Sequence, residues 1–189
     1  MKGVYGIGEH QLHALASHRT NPTDFGGHNQ LSLGPYTALG EEFDLTSREE
    51  GQWCFVGVKK GSGWPFLTVA QRFWPAGAGF HPGALLVPET SLLFIGAGER
   101  LLAYDLREPK RLWLDSANTG FWHWHRHGDY VLMAAELEFA VWNKEGLKLW
   151  STFVEPPWDF QCGGDSVTLD VMGQKSTFGL RHGPEKKTA

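Results

Sequence analysis

The residues best placed to do chemistry form the run Trp122-His123-Trp124-His125-Arg126-His127-Gly128-Asp129. Its alternation predicts a strand, in which successive side chains point to opposite faces. On that reading His123, His125, His127 and Asp129 share one face, with about 6.5–7 Å between successive members. The tryptophans and Arg126 take the other face. Imidazoles at i, i+2 spacing can share a metal ion, and Zn²⁺ is the first expectation for such ligands. His123, His125 and His127 are therefore the expected metal ligands, with Asp129 or His81 able to join in space. The simpler alternative is a solvated histidine face on a strand whose tryptophans enter the core.

Other chemistry-bearing residues read more plainly. Glu9 to His18 has Leu12, Leu15 and Ala16 at helical spacing, and the predicted short helix would carry His10 and His13. The glutamate precedes that pair, so the H-E-x-x-H arrangement of metalloproteases is absent. Gly6-x-Gly8 and Gly96-Ala97-Gly98 do not continue into a phosphate-binding loop and are expected to be turns. No G-x-S-x-G nucleophile elbow occurs. Glu136 and Glu138 would share a strand face, for which a solvated outer surface is the simplest account. Cys54 and Cys162, the only two cysteines, form no C-x-x-C pair and are expected to be reduced, buried small hydrophobes. The connector Phe153-Val154-Glu155-Pro156-Pro157-Trp158 is a rigid link, because a Pro-Pro pair cannot donate to a ladder. Its aromatics are expected in the core, with docking of a partner on an exposed one as the alternative.

The elements that must position these residues come from a repeat. Ala103-Tyr104-Asp105, followed by Arg111-Leu112-Trp113, recurs 37 positions on as Ala140-Val141-Trp142, followed by Lys148-Leu149-Trp150. Trp122-x-Trp124-x-x-x-Gly128-Asp129-x-Val131 recurs 36 positions on as Trp158-x-Phe160-x-x-x-Gly164-Asp165-x-Val167. Gly51, Thr90, Gly128 and Gly164 precede four pairs of short apolar runs, and Trp74, Trp113 and Trp150 close three of the units. A period near 37 is that of stacked supersecondary units, and about 40 residues make one propeller blade. In the same alignment the three histidines correspond to Asp159, Gln161 and Gly163, so they occupy the variable phase of the strand.

At Ala103-Tyr104-Asp105, with its Trp113, the sequence resembles the quinoprotein-type propeller repeat, whose blades carry Ala-x-Asp-x-x-x-Gly-x-x-x-Trp. The resemblance covers roughly residues 90–180 and is motif-deep. Asp105 and Gly146 match the pattern, whereas Trp142 and Pro109 replace the corresponding Asp and Gly in the other copy. It implies a tryptophan packed between adjacent sheets and an aspartate capping a turn; the family's cofactor site does not transfer.

The expected fold is therefore all-β, of antiparallel units of about 37 residues in a small or incomplete propeller-like arrangement. A two-sheet β-sandwich is the alternative. The chain reads as a single domain over 1–189, with an irregular N-terminal segment at 1–50, four β units over 51–180 and a tail at 181–189. With 41% hydrophobic residues, 24 Gly and 9 Trp, the 189 residues suit a turn-rich globular fold with large aromatic anchors rather than a disordered chain. A net charge of −4 argues against general nucleic-acid binding, which needs a basic face. No apolar run reaches membrane-spanning length and no signal peptide is recognisable, so a cytoplasmic protein is expected. The functional expectation is a non-catalytic β-repeat binding or scaffold protein acting through protein contacts, without a cofactor. A metal-binding protein or metal-dependent hydrolase built on the histidine strand is the alternative. Open strand edges would also favour a homodimer.

Overall fold

The structure is a computed structural model and describes residues 2–7, 10–17, 38–44, 51–74 and 81–184. Within them the chain is all-β: sixteen strands in four sheets, none closed into a barrel. The first sheet holds β1 (Lys2–Ile7), β2 (His10–Ser17), β3 (Leu39–Phe43), β4 (Gln52–Lys60) and β5 (Leu67–Phe73), in the order β1-β2-β4-β5-β3. The second is the antiparallel meander β6 (Gly83–Val87), β7 (Leu92–Ala97), β8 (Arg100–Asp105) and β9 (Lys110–Ser116). The third repeats it with β10 (Phe121–His127), β11 (Tyr130–Ala135), β12 (Glu138–Asn143) and β13 (Lys148–Phe153). The fourth has three strands, β14 (Trp158–Gly163), β15 (Ser166–Val171) and β16 (Gln174–Gly179).

The sheets stack in series through three cores. Cys54, Val56, Leu67 and Val69 of the first sheet meet Leu93, Ile95, Leu102 and Tyr104 of the second. Phe94, Leu101 and Ala103, from the opposite face of the second sheet, meet Phe121, Trp124, Val131 and Trp142 of the third. Leu132, Phe139 and Val141 then meet Trp158, Val167 and Leu169 of the fourth. Because both faces of the middle sheets are covered, β7 is buried at all six positions, and its sequence Leu-Leu-Phe-Ile-Gly-Ala is a continuous apolar run. This serial stacking is propeller-like in that each of the two middle sheets packs its two faces on different neighbours.

The repeat becomes physical at these junctions. Trp113 Nε1 donates to the Gly146 carbonyl at 2.7 Å, and Trp150 Nε1 donates to the Leu180 carbonyl at 2.7 Å. Gly146 and Gly183, 37 positions apart, both adopt positive φ, and a Cβ at Gly183 would stand 2.5 Å from the Trp150 ring. Each tryptophan of an outer strand thus closes on a glycine-containing turn of the next sheet. Asp105 accepts the Arg107 backbone N–H at 2.9 Å and pairs with its guanidinium at 3.0 Å.

Several expectations are corrected. The helix over Glu9 to His18 is replaced by β2 where it is described, since β2 forms eight register pairs with β4, from His10↔Lys60 to Ser17↔Trp53. Ladder pairing on both sides outweighs a weak local periodicity, and the His10/His13 spacing loses its helical meaning. Residues 1–50 are not wholly irregular, as β1, β2 and β3 join the first sheet there. Gly8, Glu9, His18, the loop Thr20 to Gly34, Leu45 and the end of the tail from 185 lie outside the described residues. The units begin one strand earlier than the apolar pairs indicate: β6, β10 and β14 open their sheets, and Gly128 and Gly164 sit in the turns that follow β10 and β14. Glu138 is buried rather than solvated; it accepts the Asn118 N–H at 3.0 Å and faces Lys148 Nζ at 3.3 Å, while Glu136 precedes β12.

Candidate functional site

The histidine run is a strand, β10, and a bulge decides which way its side chains face. Phe121 opposes Ala135 and His123 opposes Ala134, so Trp122 is the extra residue. That insertion reverses the alternation once. Trp124 packs with Phe94 and Trp142 against the second sheet, whereas Trp122 stacks on Trp158 of the fourth at 5.2 Å. The tryptophans therefore take opposite faces instead of sharing one, and Trp122 joins the histidine side. Arg126 follows Trp124 and reaches Glu89, in the turn between β6 and β7, at 2.8 Å.

On the other face the three histidines meet β14 and the turn that follows it. His123 lies against Phe160 at 6.0 Å, nearly parallel to it. His125 meets the same ring edge-on at 5.6 Å. Desolvation, followed by the charge of His125, lowers the His123 pKa, and Asp159 opposes both effects. His127 is bound through Nε2 to the Gly164 carbonyl at 2.8 Å. A carbonyl only accepts, so Nε2 carries the hydrogen and Nδ1 keeps the free lone pair.

One ligand-type atom each of His125, His127 and Cys162 lie within 4.8 Å of one another. Neither His123, Asp129 nor His81 belongs to this group. Asp129 instead binds Lys144 Nζ at 3.0 Å, beyond the positive-φ turn at Gly128. Cys162 is half-buried, and desolvation raises its thiol pKa. The other cysteine differs: Cys54 is buried in the first core, and its pKa is pushed up to about 12 by desolvation, which outweighs a lowering from neighbouring Gln71. Sequence spacing could not reveal Cys162, which is 35 residues from His127 and in another sheet. A signal was nonetheless present in the 36-residue alignment, which sets Cys162 opposite Arg126 on the strand equivalent to β10.

A second exposed feature lies at the tip of the β4–β5 connection. Gly61 adopts φ +54°, Gly63 N–H bonds to the Lys60 carbonyl at 3.3 Å, and the chain rejoins the ladder when Phe66 N–H bonds to the Val58 carbonyl at 2.9 Å. This short excursion leaves Trp64 76% exposed. Lys59, Ser62, Gly63, Trp64 and Pro65 line an open hollow of about 290 Å³ there. In the Pro-Pro connector, Trp158 is buried as expected, and Val154 with it, but Phe153 is 64% exposed.

Among the described residues, no helix is long and apolar enough to cross a membrane. No protein-family model matches the chain, and no curated protein matches it. Among solved structures it is similar to the computationally designed Ika8 protein, at 11% identity and a TM-score of 0.46, over 96% of this chain. The chain spans 58% of the length of that designed chain.

Proposed function

We propose that the protein is a non-catalytic β-repeat binding module that presents the β4–β5 tip to a protein partner. The observation that carries this reading is the exposure of Trp64 beside Pro65 and Lys59. A tryptophan buries on the order of 200 Å² when covered, and such residues supply much of the energy of protein interfaces. The tip is held at its base by the Gly63–Lys60 and Phe66–Val58 hydrogen bonds, so little ordering is needed on contact.

The test is quantitative affinity capture from the native host with wild-type and Trp64→Ala protein. A specific partner should be depleted at least about 30-fold by the substitution, the ratio that corresponds to a hot spot of 2 kcal/mol. Thermal stability should stay the same, because the side chain is outside the cores. An identical set of captured proteins from both variants would overturn the proposal.

A further inference from the structure

We propose that His125, His127 and Cys162 form a site for a borderline-soft divalent metal ion, Zn²⁺ before others, which ties the third sheet to the fourth. This goes beyond the docking role, because it uses other residues in other sheets.

Three observations converge on the site. The donor set is two imidazoles and one thiol, the nitrogen and sulfur ligands that Zn²⁺ favours. One ligand-type atom of each residue already lies within 4.8 Å of the others. Around a tetrahedral zinc, bond lengths of about 2.0–2.3 Å place such atoms about 3.3–3.6 Å apart. The site therefore has to close by roughly 1 Å, within the reach of side-chain torsions on a half-exposed surface. Finally, His127 is supported in the manner of a metal ligand: Nε2–H is held by the Gly164 carbonyl at 2.8 Å, which orients the ring and leaves Nδ1 for a metal. That carbonyl belongs to the turn after β14, the strand that also supplies Cys162, so one segment delivers both a ligand and a ligand's support.

The protonation chemistry is simple. The Cys162 thiol gives its proton to water as the sulfur–metal bond forms, and each imidazole binds through an unprotonated ring nitrogen. Three protein ligands leave the fourth tetrahedral position to water or to an incoming donor. His123, which stacks on Phe160, lies outside this donor group. The ion would join β10 to β14, where aromatic stacking otherwise dominates, and so stabilise the junction between their sheets.

The probe is the metal alone. Metal-free wild-type protein should bind one equivalent of Zn²⁺ in calorimetric titration, and Co²⁺ should develop a near-ultraviolet thiolate-to-metal charge-transfer band. Cys162→Ser should abolish the band, and both Cys162→Ser and His125→Ala should weaken Zn²⁺ binding by more than tenfold, since even the loss of a supporting hydrogen bond costs 10–100-fold. His123→Ala should retain both signals. In wild-type protein, Zn²⁺ should also protect Cys162 from alkylation, a measurement that needs no variant to fold. Absence of saturable binding, a band that survives Cys162→Ser, or alkylation of Cys162 unchanged by Zn²⁺ would overturn the proposal. Loss of partner capture by Trp64→Ala is a separate readout, so either proposal can fail alone.

Discussion

Asp105 shows how one side chain earns its place. It caps the β8–β9 turn through the Arg107 N–H and pairs with the same residue's guanidinium, and that hydrogen bond is the main reason its carboxyl pKa lies below the usual range. A carboxylate whose pKa is lower folded than unfolded adds stability above the unfolded value, near 3.9, and loses it as pH falls through the folded value. Asp105→Asn is therefore expected to lower Tm slightly at neutral pH and to have progressively less effect as pH falls below the unfolded value and through the lowered folded one. Thermal melts of both proteins across that range check this, and an effect that grows towards acid would contradict it. Asp105 was legible in the sequence because a capped turn is local. The facing of Trp122 was not, since a bulge depends on how β10 registers against β11 and leaves no trace in the alternation. Cys162 was hidden for a related reason: its neighbours come from stacking between sheets, beyond any short motif.

Strands were read best where pairing is local. The second and third sheets are meanders whose apolar runs and Gly, Asp or Asn turns stand in sequence order, so the apolar runs after Thr90 and Gly128 fall on β7, β8, β11 and β12. β2 does not show in the sequence although β1, its neighbour in the chain, pairs with it locally; its other partner, β4, is set by the tertiary fold. The first strand of the second sheet, β6, escaped notice, being glycine-led and short. Its glycine has a purpose. Gly83 and Gly96 are register partners on β6 and β7, and Cβ atoms there would stand 2.9 and 2.6 Å from the Phe121 ring of β10. The paired glycines form a pit that admits this ring and sets how closely β10 approaches. Gly96→Ala should cost about 1–3 kcal/mol by overpacking. Adding Phe121→Leu should recover part of that loss, although the same change destabilises the parent. Denaturant unfolding of the four proteins tests the coupling; strictly additive effects would show that the ring does not occupy the pit.

Across the whole molecule, serial stacking makes stability a matter of neighbouring sheets. Among the described residues each core joins two sheets, so damage should remain near its origin, as in other repeat architectures. Leu169→Ala, in the core between the third and fourth sheets, should cost about 2–5 kcal/mol there. Hydrogen exchange should then quicken in β14–β16 well before it does in β6–β9. Uniform acceleration throughout would mean that the sheets unfold as one unit. The same architecture gives the two cysteines opposite uses. Cys162 is only half-buried, beside two histidines, whereas Cys54 is sealed between the first and second sheets, with its thiol held protonated up to about 12. A thiol reagent at neutral pH should therefore mark Cys162 in the native protein and remain silent at Cys54 until that first interface parts. The chain thus carries its own clock for the opening of one junction, readable by mass spectrometry without any label being engineered.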